Sequence, residues 1–387
     1  MLGSRMPRAL AGLAVVFAVA CSESAGPPPG QLVDPASTAA KVQAVDAVFS
    51  VPAIDAFTGV GDLMDPAIGL APAAGLLRAT QPEAPGPRLS GYAGAAQRYR
   101  EFSNLNLSPS STLGLIPDEL KGKTFEWDVT LQHYVITDRA GAPADGVRFI
   151  LYAINPITRR PAEPLVEVGY VDLHDLSTET TRSLRIVVDG VDGTPHYVDY
   201  TVAGTITPDQ FTASANGFIS NGETGDATKR LDFNLSATWT PASFTFEADL
   251  SLDHPHVTIT ETTTATKSET GVVLTINFAL DDGTQTVRLE GSVTVINDDR
   301  QADGHRDGGP GRHDDDGIVT ADLTVYVNDG VFATIKGTSP DIEILDGDGN
   351  PLSEDELHAL RELFRLPARV FSFFQDLLHP VRRCFHV

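Results

Sequence analysis

The sequence predicts a mainly β protein whose body is one large antiparallel meander over residues 124–337. Segments of about 8 to 12 residues alternate apolar and polar side chains, the pattern of half-buried strands. Gly, Pro, Asn and Asp separate them, and Asn221-Gly222 and Asp282-Gly283 are typical of tight hairpin turns. Because no helical segment lies between the strands, a parallel sheet, which needs such crossovers, is excluded.

The predicted strands share one apolar and one polar face. In the first strand, Phe125, Trp127, Val129 and Leu131 fall on one side, because successive side chains point to opposite faces. Strands are predicted at residues 124–137, 147–155, 165–174, 180–188, 196–206, 211–220, 231–239, 244–252, 256–266, 272–280, 285–297, 318–328 and 331–337. A sheet this large must bury its apolar face, so we expect it to curl into a barrel or half-barrel with N-terminal and C-terminal helices packed on or in that face.

The net charge of the chain limits the kinds of molecule that it is expected to bind. The chain of 387 residues has 28 Lys and Arg against 52 Asp and Glu, a formal net charge of −24. Nucleic-acid binders need basic surfaces that neutralise phosphates, so nucleic acid is not an expected partner. The acidic surface would also be repelled by anionic lipids, and membrane association therefore requires a separate anchor.

The N-terminus has the pattern of a secretory signal over residues 1–20. Arg5 and Arg8 form a basic region, and residues 9–20 are an apolar run of twelve residues, whereas a membrane-spanning helix needs about 20. Residues 18–21, Ala-Val-Ala-Cys, resemble the lipobox of bacterial lipoproteins, with Ala18 in place of the usual Leu. The alternative is an ordinary signal peptide cut after a small-residue site.

The resemblance implies that Cys21 becomes the acylated N-terminus and holds the protein in the cell envelope. Ser22 takes the position where Asp marks inner-membrane retention, so the resemblance indicates the outer membrane. Residues 21–35, with three consecutive prolines at 27–29, are predicted to be a stiff tether. If Cys21 is acylated, Cys384 is the only remaining thiol and no intrachain disulfide forms.

Residues 36–123 are predicted to be a helical and irregular segment. Ser37 or Thr38 is expected to cap a helix with an apolar stripe, and Pro52 suits the start of a second helix that carries Ile54 and Phe57. We expect these stripes to pack on the sheet. Their polar sides lack the Lys and Arg clusters of membrane-surface helices.

Residues 338–387 are predicted to be a C-terminal helical segment packed on the sheet. Asp346, Asp348 and Asn350 resemble the start of a calcium loop, but the later positions depart from that pattern. The alternative is a turn before a helix whose capping box is Ser353 with Glu356. Both interpretations stay open, with calcium as the less favoured.

The end of the chain carries an unusual concentration of aromatic side chains. Pro367 is expected to end the first C-terminal helix, and residues 368–378 to form a second one with Phe371, Phe373 and Phe374.

The Asp-rich and His-rich residues 298–317 are expected to be a solvated loop rather than a metal site.

No catalytic motif is recognisable, and we do not expect an enzyme. Aromatic residues make up only 7% of the chain, so the C-terminal phenylalanines are expected to fill the hollow of the sheet themselves. This favours an envelope-anchored structural or interaction protein, with a lipid, a glycan or another envelope protein as the partner. The alternative is a carrier or chaperone of lipids or other apolar ligands held in the hollow.

Overall fold

One continuous sheet of fifteen strands dominates the structure, a computed structural model that describes residues 30–48, 53, 56, 115–268, 271–296 and 318–384. The strands are β1 (Lys123–Asp128), β2 (His133–Thr137), β3 (Gly146–Tyr152), β4 (Glu167–Asp175), β5 (Thr181–Asp189), β6 (His196–Thr207), β7 (Gln210–Ser220), β8 (Arg230–Trp239), β9 (Ser243–Leu252), β10 (Val257–Lys267), β11 (Gly271–Asp281), β12 (Thr286–Ile296), β13 (Ile318–Val327), β14 (Gly330–Thr338) and β15 (Asp341–Asp346). The helices with described bounds are α1 (Pro35–Ala47), which precedes the sheet in the sequence, and α2 (Glu354–Cys384), which follows it.

The sheet is a meander, as predicted. From β3 to β15 each strand pairs antiparallel with the next, while β2 and β15 form the two ends of the sheet. One pair departs from the prediction, because β1 lies parallel to β3. Residues 138–145 carry the chain back past β1, and eight residues are long enough for this crossover without a helix.

The first predicted strand is in fact a hairpin of two strands. The Asp128 carboxylate accepts hydrogen bonds from the backbone amides of Thr130 (2.7 Å) and Leu131 (2.9 Å), which turns the chain at this point. Phe125 and Trp127 are buried as expected, but Val129 and Leu131 lie in the turn and are 43% and 57% exposed. The prediction of a single apolar face from Phe125 to Leu131 was therefore wrong in its second half.

The sheet extends beyond the predicted boundary at residue 337. β15 lies within the segment predicted to be helical, and it pairs with β14 through contacts such as Ile335 with Ile344. The alternation of apolar and polar residues in β15 lies within only six positions, and the polar ones are acidic. Both features weaken the strand pattern in the sequence.

All odd-numbered strands end, and all even-numbered strands begin, at the same end of the sheet. We call this end the α1 rim, because the N-terminal residues attach to it. The Gly30 amide donates to the Val327 carbonyl at the end of β13 (2.9 Å), and Lys41 pairs with Asp282 in the β11–β12 turn (2.8 Å). The opposite rim carries the other set of turns.

Helix α1 begins one turn earlier than predicted. The Asp34 carboxylate accepts from the amides of Ala36 (3.0 Å) and Ser37 (3.2 Å), so Asp34 is the N-cap, in place of Ser37 or Thr38. Pro35 occupies the first helical position, where its missing N–H costs nothing. Of the predicted second helix, Ala53 and Ala56 are helical and buried, while Ile54 and Phe57 lie outside the described residues.

Helix α2 is continuous, and the prediction that Pro367 ends it was wrong. A proline inside a helix costs roughly 3 kcal/mol because it removes a hydrogen bond and crowds the preceding turn. The buried stripe continues across it, with Leu363 and Leu366 before and Val370 after. Burial of these side chains on both sides of Pro367 outweighs the cost of the proline.

Candidate functional site: the inner face of the sheet

The inner face is the apolar side of the sheet, and its side chains form one continuous core. The predicted sets on β9, β11 and β12 are all buried, which confirms the periodicity. These sets are Phe244, Phe246, Ala248 and Leu250, then Leu274, Ile276, Phe278 and Leu280, then Val287, Leu289, Val293 and Val295.

Helix α2 lies on this face. The Phe373 ring meets Phe233 of β8 edge to face at 5.3 Å, and the Phe374 ring contacts Phe246 of β9 at 5.2 Å. Phe374 is fully buried, at 0% exposure. The expectation that C-terminal aromatic side chains pack against the sheet is confirmed for these two residues.

Two of the strands that contact helix α2 carry small residues on their buried face. Helix α2 packs against β5, β6 and β7. Gly204 on β6 lies opposite Ala213 on β7, and Ala215 and Gly217 follow along the same face. A shallow strip without large side chains allows a helix backbone to come close to the strands. This run of small residues was not used in the prediction from sequence.

Gly217 also makes room for the aromatic core. Its φ is +149°, and a Cβ there would lie 2.4 Å from the Cα of Tyr200 on β6. Gly291 on β12 is similar, since its φ is +138° and a Cβ would lie 2.2 Å from the Asp322 carbonyl oxygen. Glycine inside a strand is typical of bends at which a sheet curls.

The start of α2 is held by the predicted capping box. The Glu356 carboxylate accepts from the Ser353 amide at 2.9 Å and from the Ser353 hydroxyl at 2.6 Å. The Glu356 amide in turn donates to Ser353 Oγ at 3.4 Å. These bonds satisfy backbone groups that a helix start leaves unpaired, so the local sequence sets where α2 begins.

Helix α1 docks at the rim and packs against α2. The Gln285 side chain donates to Thr38 Oγ1 at 2.8 Å, and its Oε1 accepts from the Val33 amide at 3.0 Å. The pKa of Asp282 is held below its ordinary value: burial acts to raise it, but hydrogen bonds from Lys41 and from turn amides prevail. The β11–β12 turn is therefore the attachment point of the N-terminal segment.

One carboxyl group lies on the apolar inner face. Glu261 on β10 is buried between Ala248 on β9 and Phe278 on β11, its cross-strand neighbours. The Thr263 hydroxyl donates to Glu261 Oε1 at 2.8 Å, whereas Oε2 has no hydrogen-bond partner within the described part of the chain. Burial raises the pKa of Glu261 to about 8, with the Thr263 hydrogen bond acting in the opposite direction. The group is mainly protonated at neutral pH.

The outer face carries a polar cluster that sequence analysis did not find. Arg148 forms a bidentate pair with Asp172 (both distances 2.7 Å) and stacks 3.7 Å above the Tyr170 ring. The Tyr170 hydroxyl donates to Asp189 (3.2 Å), which also pairs with His196 Nδ1 (2.6 Å). These residues are far apart in sequence, and only the strand register of β3 to β6 brings them together.

One end of this cluster is a hydrogen-bonded imidazole and carboxylate. Asp189 is the one hydrogen-bond partner of the His196 ring among the described residues, and the imidazole is 62% exposed. The contacts of the whole cluster join four neighbouring strands on the solvent side.

The calcium candidates form a tight turn after β15. Asp346 Oδ1 accepts from the amides of Asp348 (2.9 Å) and Asn350 (2.7 Å), and Asn350 Nδ2 donates to Oδ2 at 3.3 Å. These hydrogen bonds, that from the Asn350 amide first, hold the pKa of Asp346 below its ordinary value. The carboxylate thus already has partners within the turn, and calcium binding by Asp346, Asp348 and Asn350 stays a prediction.

Other residues named in the predictions from sequence fall outside the described residues. These are Cys21, the acidic loop 298–317, and the side chain of Cys384, whose backbone ends α2. In the ranges that the structure describes, no three His, Cys, Asp or Glu side chains are grouped so as to hold a metal ion. Neither described helix combines the length and the apolar character needed to cross a membrane.

Comparison of the chain with models of known protein families, with curated proteins and with solved structures found no match.

Proposed function

We propose that this protein is an envelope-anchored interaction protein, held by acyl chains on Cys21, in which a curled half-barrel sheet closes its apolar face with its own C-terminal helix. The contact of Phe373 and Phe374 with the inner-face rings of Phe233 and Phe246 supports the closed apolar face, and the lipobox-like residues 18–21 support the anchor. Those aromatic side chains occupy the space that an apolar ligand would need.

Among the described residues, the polar outer face and the two end strands are surfaces that a protein or glycan partner could contact. The outer face is crossed by ion pairs such as Arg148 with Asp172 and Arg185 with Asp199. Exposed pairs such as Arg185 with Asp199 add little stability but present ordered charges, which favour specificity in recognition. A protein or glycan of the envelope suits such a surface, and the proposed outer-membrane anchor would hold it there.

A carrier of apolar ligands is the second candidate, and Glu261 is the observation that favours it. A protonated carboxyl with one oxygen unpartnered on an apolar face can donate a hydrogen bond to the polar head of a lipid. Such a ligand would have to displace part of α2.

Two mass measurements test the proposal. The intact mass of protein extracted from membranes should show acyl chains, and Cys21→Ser should abolish them. Organic extracts of the purified Cys21→Ser protein should contain no stoichiometric lipid, because the core is already filled. A stoichiometric lipid would instead establish the carrier function, and an unmodified wild-type N-terminus would refute the anchor.

A variant with a cavity makes the second measurement sharper. Phe374→Ala removes a fully buried ring from the inner face and should allow an apolar fluorescent probe to bind where the wild type does not. Ile157→Ala is the matched control, since Ile157 is 90% exposed. Equal probe binding by the wild type and Phe374→Ala would contradict the filled core.

A further inference from the structure

The point at which the chain enters the described fold lies at one end of the sheet. Gly30 is bonded to the end of β13, and Val33 is bonded to the β11–β12 turn, so both mark the α1 rim. From Cys21 to Gly30 a fully extended chain reaches at most about 30 Å. The eleven residues of β11 alone measure roughly 35 Å along the sheet, so a tether from Cys21 is too short for the sheet to stand upright on its opposite rim.

The same rim collects the exposed apolar side chains. Of the ten large apolar residues that are exposed among the described residues, seven lie at this rim and two at the opposite one, with Ile136 inside the end strand β2. The seven are Val33, Val129, Leu131, Ile157, Val166, Val191 and Val331, and the two are Leu176 and Ile318. Exposed apolar residues scattered singly need no explanation, but a bias toward one end does.

Several of these residues are neighbours. Arg160 in the β3–β4 loop donates to the Gln132 side chain in the β1–β2 turn at 2.8 Å. This bond holds the turn that carries Val129 and Leu131 beside the loop that carries Ile157. The loop and the turn thus present their apolar tips together.

The charge at the rim limits the kind of lipid surface that can accept it. Asp192, Glu223 and Asp329 are exposed in rim turns, and the whole chain is strongly acidic. Anionic headgroups would repel these carboxylates, whereas zwitterionic headgroups would not. Arg159 and Arg160, exposed next to Ile157, can extend their charged groups to the headgroup level.

We propose that the α1 rim is a membrane-contact surface, whose exposed apolar side chains insert among zwitterionic headgroups while the opposite rim faces away from the bilayer. This proposal rests on the proposed anchor at Cys21, because the anchor sets the orientation.

The test attaches the full mature chain to vesicles without acylation, so that it does not depend on whether Cys21 is modified. A histidine tag replaces residue 21, Cys384→Ser removes the other thiol, and the tag binds nickel-chelating lipid in phosphatidylcholine vesicles. Single variants Ile157→Cys and Ile318→Cys then carry an environment-sensitive fluorophore, and a quencher is placed on the lipid headgroups. Ile318 is the matched control, since it is exposed at the opposite rim.

The label at position 157 should shift to shorter emission wavelengths and lose intensity to the quencher, while the label at 318 should do neither. Adding anionic lipid should reduce quenching at position 157. Equal quenching at both positions, or none at 157, would overturn the proposal. Acyl mass measurements on the wild type test the anchor separately, so the two failures are distinguishable.

A second comparison identifies the side chains responsible. With the reporter at Val191→Cys, the triple substitution Val129→Ser, Leu131→Ser and Ile157→Ser should reduce quenching. The control triple Ile136→Ser, Leu176→Ser and Ile318→Ser should leave it unchanged. All six residues are exposed, so folding should survive, which circular dichroism checks. Equal effects of the two triples would overturn the proposal.

Discussion

Replacing Glu261 by Gln should remove a large pH dependence from the stability of this protein. Glu261 is buried on the inner face, with Oε2 unpartnered among the described residues. Gln keeps the shape and a polar group but has no charge to develop. The variant therefore isolates the effect of ionisation from the effect of packing.

The sign follows from where the proton is bound. Burial raises the pKa of Glu261 from an ordinary value of 4.5 to about 8 in the folded protein. Below pH 4.5 the carboxyl is protonated in both states, and its contribution to stability is fully present. Between pH 4.5 and about 8 the unfolded chain loses this proton while the folded chain keeps it, so the free energy of unfolding falls as the pH rises.

The size of this fall in the free energy of unfolding follows from the difference between the folded and unfolded pKa values of Glu261. Each tenfold change in proton affinity corresponds to about 1.4 kcal/mol, so the wild type should lose on the order of 5 kcal/mol of stability from this group by pH 8. The loss is complete once the pH has passed through the folded pKa. A total of this size is a large part of the usual stability of a domain.

Urea unfolding at pH 5 and at pH 8, followed by the fluorescence of the buried Trp127 and Trp239, measures the effect. The fall in unfolding free energy from pH 5 to pH 8 should be several kcal/mol smaller in Glu261→Gln than in the wild type. The matched control Glu247→Gln removes an exposed carboxyl on the neighbouring strand β9 and should keep the wild-type pH dependence. If Glu261→Gln and the wild type respond identically to pH, the described burial of Glu261 is wrong.

Three further substitutions test the helices, each measured by urea unfolding. Phe374→Ala should lower the free energy of unfolding by about 3–5 kcal/mol, because Phe374 is fully buried, whereas the exposed Ile157→Ala should change it by less than about 0.5 kcal/mol. Ser353→Ala removes the cap of α2 and should cost about 1 kcal/mol. Lys41→Met leaves the Asp282 carboxylate, whose side chain is only 2% exposed, without its cation and should cost roughly 1–3 kcal/mol. An unchanged stability in any of the three destabilising variants would contradict the contact concerned.

Local sequence predicted the strands well where alternation was long. The sets on β9, β11 and β12 point inward as expected, because a side-chain period of two leaves only one register that buries all of them. Short or interrupted patterns were misjudged. Val129 and Leu131 continue the alternation of β1, but the Asp128 side chain turns the backbone there and exposes both.

Pro367 shows the opposite error, in which a strong local signal was overruled by packing. Its propensity argues for a helix end, yet Leu363, Leu366 and Val370 are buried along one uninterrupted helix. The parallel pairing of β1 with β3 was also not predicted. Which strands pair depends on the path of the segment that connects them, and residues 138–145 carry no sequence pattern that reveals their path past β1.

The amino-acid sequence by itself determined the mainly β fold class, the alternation of faces and the capping box of α2, because each depends on neighbours within a few residues. Only the tertiary structure decided that α2 packs against β5, β6 and β7 and that Glu261 is enclosed without a full set of partners among the described residues. It alone placed the N-terminal residues and most of the exposed apolar side chains at one rim. These features depend on contacts between residues far apart in the chain, and burial is a property of the assembled fold that local periodicity does not contain.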